Sequence, residues 1–107
     1  MTMARRTEIP DWRDLRGEPA DFWPLVEEGV LVVRTVEDGG VRVDVVMFAC
    51  PCGCGDNLLL PIGPAPWRQG RPGWRMDLEA RTLEPSVIVN GRCGSHFFLR
   101  SGRVEWC

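Results

Sequence analysis

Apolar and polar residues alternate along much of this chain with the period of two that is typical of β-strands. The clearest case is a pair of Val-rich runs at 30–36 and 41–49, separated by the turn-forming sequence Glu-Asp-Gly-Gly at 37–40. This pattern predicts a β-hairpin. A second hairpin is predicted at the end of the sequence, where residues 96–100 and 103–106 flank a Ser-Gly turn.

Three shorter runs, at 57–62, 74–80 and 86–89, predict further strands, and Glu84-Pro85 is interpreted as a turn between the last two. The fold class is therefore predicted to be all-β. We expect a small antiparallel sheet or sandwich of about six to seven short strands with a metal-binding knuckle. At most one short N-terminal helix is expected, a turn or two within residues 21–29, because Pro24 opposes a longer one.

The chain has 107 residues, the size of one domain. Its first 20 residues are rich in charge, and we interpret residues 1–20 as a flexible N-terminal arm preceding a single β domain at 21–107. The 12 Gly and 9 Pro residues favour many turns over long helices.

The charge balance excludes some classes of partner. All 13 basic residues other than His are Arg, and 15 acidic residues give a net charge of −2. Such a mixture of charges does not produce the strongly positive electrostatic potential that is typical of a protein that binds nucleic acid or a membrane surface. The sequence contains neither a long apolar run nor a signal peptide, so we expect a cytoplasmic protein that binds neither nucleic acid nor membrane.

Cysteine clustering points to a metal site. Cys50, Cys52 and Cys54 occupy alternate positions, and Cys93 and His96 follow with the spacing of a zinc knuckle. A disulfide between such close neighbours would be strained, whereas thiolates and imidazole are the ligands that zinc prefers. All five residues are predicted metal ligands of a zinc site. Which four of them bind remains open.

Two alternatives use the same residues differently. Three Cys and one His also hold iron–sulfur clusters, which would make the chain a redox protein. A zinc-dependent hydrolase would need an open coordination position and a nearby base, for which Asp56 is available. Cys107, the last residue, is expected to be a free thiol outside the site.

Four motifs stand in order along the chain: Leu-Val-Glu-Glu-Gly-Val-Leu-Val-Val at 25–33, Cys-Pro-Cys-Gly-Cys-Gly at 50–55, Leu-Glu-Pro-Ser-Val-Ile at 83–88, and Cys-Gly-Ser-His-Phe-Phe-Leu-Arg-Ser-Gly-Arg-Val-Glu-Trp at 93–106. Together they resemble a prokaryotic family of small Cys/His metal-binding proteins of unknown function, over residues 22–107. Some members of that family are encoded beside bacterial ubiquitin-like proteins and their E1-, E2- and deubiquitinase-like enzymes. In this resemblance the five predicted ligands stand where the family has its own, and Cys107 lies outside the pattern.

The pattern and the resemblance together predict a noncatalytic zinc-binding accessory or adaptor module in a bacterial ubiquitin-like conjugation or defence pathway. The expected partner is a protein: a ubiquitin-like, E1-like or E2-like protein. An enzyme is the less favoured interpretation, and no residue is predicted to be catalytic.

Overall fold

The structure is a computed structural model that describes residues 5–18, 27–63, 73–90 and 93–107. These residues form eight β-strands and no helix, which confirms the predicted all-β class. The strands are β1 (Asp11–Asp14), β2 (Val30–Asp38), β3 (Val41–Ala49), β4 (Asn57–Ile62), β5 (Arg75–Asp77), β6 (Thr82–Ile88), β7 (His96–Arg100) and β8 (Arg103–Trp106). Most of the predicted helical turn lies outside the described residues.

The strands form two four-stranded sheets, each following the order of the sequence. The first contains β1 to β4 and the second contains β5 to β8. β1 pairs in parallel with β2, and the other neighbouring strands pair antiparallel. An isolated parallel bridge between Ile62 and Trp74 connects the end of β4 to the start of the second sheet.

The hydrophobic core draws on both sheets. Alternate residues of the strands point inward. Between the sheets, the rings of Phe48 and Phe97 pack edge to face with their centroids 6.4 Å apart. The buried core residues are Ile9, Leu31, Val33, Val46, Phe48, Leu83, Val87, Phe97, Leu99 and Val104. Burial of these side chains is the main favourable contribution to folding.

Both predicted hairpins are confirmed, as is the return strand β4. The second hairpin turns at Ser101 and Gly102, which have φ values of 52° and 75°. The prediction of a turn at Glu84-Pro85 is wrong, because both residues lie within β6. The pairing of β6 with β7 is irregular between Leu83 and Val87. Pro85 has no backbone N–H to donate, and it lies in this stretch, where the regular hydrogen bonds between the strands are interrupted.

The described part of the predicted N-terminal arm contacts the rest of the molecule. Besides β1, it contributes Ile9, which is only 1% exposed and donates its backbone N–H to the carbonyl of Gly102 at 2.8 Å. The backbone N–H of Val104 donates a hydrogen bond of 2.9 Å to the carbonyl of Thr7. The division of the chain at residue 20 remains a prediction. Within the described ranges there is no helix long and apolar enough to cross a membrane.

Candidate metal centre and Ser–His pair

The first half of the site is the turn that joins β3 to β4. Its ends are closed by a hydrogen bond of 2.8 Å from the N–H of Cys50 to the carbonyl of Asp56. Gly53 and Gly55 have φ values of 85° and 89°, a conformation that side chains rarely adopt. The glycines therefore let the backbone curl, so that sulfurs at alternate positions converge instead of lying in an extended row.

The second half is the connection between β6 and β7. Cys93 and Gly94 precede Ser95, whose carbonyl accepts the N–H of Val89 at 2.8 Å. Gly94 has a φ of 59°. His96 follows immediately as the first residue of β7.

Four sulfurs meet where these two halves approach each other. The Sγ atoms of Cys50, Cys52, Cys54 and Cys93 all lie within 4.8 Å of one another. Cys50 Sγ is 3.4 Å from Cys52 Sγ and 3.8 Å from Cys93 Sγ, too far for disulfides. A tetrahedral zinc ion with Zn–S bonds of about 2.3 Å separates its sulfurs by about 3.8 Å. The four thiols therefore fit one tetrahedral metal ion.

The four thiols differ in their environment. Burial raises the pKa of Cys50 well above its usual range. Hydrogen bonds from the hydroxyl and then the backbone N–H of Ser95 lower the pKa of Cys93 to about 7. The backbone of Asp56 lowers the pKa of Cys54, but burial and hydrogen bonds with neighbouring thiols raise it by more. Of these three thiols, Cys93 is therefore the one with the lowest pKa.

The structure brings together four of the five predicted ligands and places the fifth differently. Among the described residues, the group that could hold a metal ion consists of the four cysteines and does not include His96. Its Nε2 lies 3.0 Å from the Oγ of Ser86 instead. Cys107 is exposed, and its backbone N–H donates to the carbonyl of His96 at 3.0 Å.

Strand pairing explains why Ser86 and His96 meet. Ile88 lies opposite His96, and Ser86 comes two residues before Ile88 in β6. Side chains two residues apart point to the same face of a sheet, so Ser86 is a diagonal neighbour of His96. Ser86 itself lies in the stretch between Leu83 and Val87 where the pairing with β7 is irregular.

The pair is partly exposed and lies on the face opposite the core. Ser86 and His96 are both half-buried, whereas the alternate residues Val87 and Phe97 are buried. Ile88, which shares the outer face, is 56% exposed. Both side chains therefore lie on a face of the sheet that is open to solvent.

Sequence reasoning missed Ser86 and Ser95. Ser86 lies on a strand that the sequence predicts, but only the register of β6 against β7 brings it to the single His of the chain. Ser95 lies between two predicted ligands and is only 4% exposed. A small polar residue within an apolar strand pattern was the available signal for Ser86, and it did not identify a partner.

One comparison with known proteins finds a match over most of the chain. A family model described as "Bacterial ubiquitination-like system serine protease (BubE)" matches residues 19–107. The chain belongs to this family, which confirms the predicted link of a small Cys-rich protein to ubiquitin-like systems. Neither a curated protein nor a solved structure matches the chain.

Proposed function

We propose that this protein is a serine hydrolase that cleaves an amide bond in a bacterial ubiquitination-like pathway. Ser86 is the nucleophile and His96 is the general base. The observation that carries the proposal is the 3.0 Å contact between Ser86 Oγ and His96 Nε2, within the range expected for a nucleophile and its base. The family description, which names a serine protease, supports the same chemistry.

The reaction follows from the roles of the two side chains. With the imidazole proton on Nδ1, Ser86 donates its hydroxyl hydrogen to His96 Nε2. Ser86 Oγ attacks the carbonyl carbon of the substrate as His96 takes the proton. The C–N bond then breaks, and the leaving amine takes that proton. Water next attacks the acyl ester with His96 again as base, which releases a carboxylic acid and restores Ser86.

We infer that the four thiols hold one zinc ion in a closed, structural site. Four sulfurs within 4.8 Å of one another complete a tetrahedron and leave no open position for a catalytic water. This arrangement disfavours a zinc-dependent hydrolase with Asp56 as its base. It also disfavours an iron–sulfur cluster, because two irons would hold the outer sulfurs farther apart than a single ion does. A purified sample is expected to be colourless.

The noncatalytic accessory role remains the second candidate function. It is supported by the four-thiol site, because a metal ion bound by four sulfurs has no open position for catalysis. In this alternative the hydrogen bond between Ser86 and His96 is structural only. For both functions we expect a ubiquitin-like, E1-like or E2-like partner, because the family belongs to a ubiquitination-like system. Both also place the protein in the cytoplasm, where thiols stay reduced and available to a metal.

Labelling with a fluorophosphonate probe separates the two functions without a known substrate. An activated serine attacks the phosphorus, the P–F bond breaks, and the hydroxyl proton leaves with fluoride as HF, so Ser86 gains the mass of the probe minus HF. We expect labelling of the wild-type protein, none of Ser86→Ala, and about 10²- to 10⁴-fold slower labelling of His96→Asn, which lacks the base. Intact mass spectrometry followed by peptide mapping measures each rate and the labelled position.

Ser101→Gly is the matched control. It removes an exposed serine hydroxyl from a hairpin turn, and glycine readily adopts the φ of 52° found there. Labelling of this variant should equal that of the wild type. A folded, metal-loaded wild-type protein that is not labelled, or labelling that persists in Ser86→Ala, would refute the hydrolase and favour the accessory role.

A further inference from the structure

We propose that Ile88 is a specificity-determining residue, which selects substrates with a large apolar side chain on the residue that supplies the scissile carbonyl. This inference rests on the proposed function of Ser86 and His96. It adds the class of substrate side chain that is accepted next to the bond, which the two reacting side chains do not determine by themselves.

Ile88 is unusually exposed for a large apolar side chain. Its exposed fraction is 56%, and within the described ranges only Leu59, at 50%, is comparable. A single exposed apolar residue is common on protein surfaces and indicates no function by itself. The position of Ile88 relative to the reacting groups is what distinguishes it from Leu59.

Strand pairing places Ile88 next to both members of the Ser–His pair. It lies directly opposite His96 in the register of β6 with β7, a relation in which Cβ atoms are about 5 Å apart. Ser86 comes two residues earlier on β6, so its side chain leaves the same face about 7 Å away. A substrate with its carbonyl carbon at Ser86 Oγ is therefore within one large side chain of Ile88.

The two strands correspond to the two parts of the substrate. His96, on β7, gives its proton to the leaving amine, so the leaving group lies toward that strand. The acyl group stays bonded to Ser86 and lies over β6, where Ile88 is the next side chain on the outer face. The residue that supplies the scissile carbonyl is therefore the one whose side chain meets Ile88.

Phe98 is less accessible to a substrate than Ile88. It is half-buried on the same face, and its ring centroid lies 6.4 Å from that of His96. The guanidinium carbon of Arg100 lies 4.1 Å from the centroid of the Phe98 ring, and Arg100 also pairs with Glu105 at 3.0 Å. The apolar surface that is open beside the Ser–His pair therefore comes mainly from Ile88.

Polar groups close to Ser86 already have partners within the protein. Glu84, two residues before Ser86, pairs with Arg75 at 3.0 Å. The carbonyl of Ser86 accepts a hydrogen bond of 3.4 Å from the indole N–H of Trp74. A polar substrate side chain would lose water and compete with these partners, whereas an apolar one gains by covering Ile88. The surroundings therefore favour an apolar substrate residue.

The test compares three phosphonate probes that differ in one side chain. Acetylated aminoalkyl diphenyl phosphonates carry the side chain of leucine, alanine or glutamine on the carbon next to phosphorus. The Ser86 oxygen bonds to phosphorus, one P–O bond to a phenyl ring breaks, and phenol leaves with the hydroxyl proton. We expect full-length protein to react with the leucine probe about 10- to 100-fold faster than with either other probe.

Intact mass spectrometry measures the three rates. The alanine probe tests size, because a methyl group does not reach Ile88, and the glutamine probe tests polarity at a size close to that of leucine. A rate ratio near one in either comparison would overturn the role of Ile88.

Variants then assign the preference to one side chain. Ile88→Ser should lower both ratios to about 3 or less, and Ile88→Leu, which keeps the apolar surface, should restore them. Leu59→Ser is the matched control, because it removes a similarly exposed apolar side chain from β4 in the other sheet. It should keep the wild-type ratios. Each ratio compares two probes on one protein, so a general change in the reactivity of Ser86 cancels. Wild-type ratios in Ile88→Ser, or an equal fall in Leu59→Ser, would contradict the inference.

The fluorophosphonate probe carries no such side chain, so it separates this inference from the proposed function. If it does not label Ser86, the hydrolase fails and the role of Ile88 fails with it. If it labels Ser86 while the three phosphonate probes react at equal rates, the hydrolase stands and the role of Ile88 is refuted.

Discussion

His96 is the residue at which the two interpretations of this protein separate. An imidazole serves equally well as a zinc ligand and as a general base, and its spacing from Cys93 is that of a zinc knuckle. In the structure four sulfurs lie within 4.8 Å of one another, enough for one tetrahedral metal ion, and the imidazole contacts Ser86. Geometry therefore favours the base, although the residue type alone favours neither role.

Replacement of His96 by Asn distinguishes these roles. If His96 is a base, His96→Asn should retain one zinc ion per chain, because the four thiols are intact. It should react with the probe about 10²- to 10⁴-fold more slowly. Elemental analysis of the purified variant measures the zinc. Cys93→Ser is the control that should lower zinc binding, since it removes a sulfur of the cluster. Loss of zinc from His96→Asn would restore the ligand role predicted from the sequence.

At the scale of the strands, the elements that the sequence predicts are those whose pairing is local. The β2–β3 and β7–β8 hairpins have alternating apolar residues on both sides of a short Gly-containing turn. A pattern of this kind specifies both the strands and their register. The pairing of β6 with β7 is different, because it is irregular and its connection contains Cys93. The sequence therefore could not show that Ser86 meets His96.

One other strand was missed and another was predicted only in part, in both cases for physical reasons. β1 has the sequence Asp-Trp-Arg-Asp, in which charged residues surround one apolar side chain, and its parallel pairing with β2 requires a distant partner. A proline normally interrupts a strand, but Pro85 lies within β6, at a place where the pairing with β7 is irregular. Both cases depend on tertiary context that alternation along the chain does not encode.

Adjacent residues of β7 provide a matched test of the two faces of the second sheet. Phe97 is fully buried and contacts both Phe48 and Trp106, whereas Phe98 is half-buried on the outer face beneath Arg100. Phe97→Ala should lower the free energy of unfolding by about 3–5 kcal/mol because it opens a cavity in the core.

Phe98→Ala should lower the free energy of unfolding by about 1 kcal/mol or less, since an exposed cation–π contact contributes little. Urea unfolding followed by Trp fluorescence measures both variants. Equal losses would contradict the assignment of the core to the Phe97 face. A larger loss for Phe98→Ala would reverse the two faces.

At the scale of the whole molecule, the cluster joins the two sheets. Three of its sulfurs come from the turn between β3 and β4 in the first sheet, and Cys93 comes from the connection between β6 and β7 in the second. A metal bound there closes a loop of 38 residues between Cys54 and Cys93. Such a closure lowers the entropy of the unfolded chain, so a bound metal stabilises the contact between sheets as well as the local turn.

Removal of the metal should therefore destabilise the entire fold. Zinc that binds only the folded state adds about 4 kcal/mol to the free energy of unfolding at a free concentration about 1,000 times its Kd. Urea unfolding with zinc and with a strong chelator should show this difference for the wild type and for Cys107→Ser, whose thiol lies outside the cluster. Cys93→Ser should respond much less to zinc. A wild-type midpoint that is the same in zinc and in chelator would show that the sheets hold together without the ion, because their shared core would then account for the whole stability.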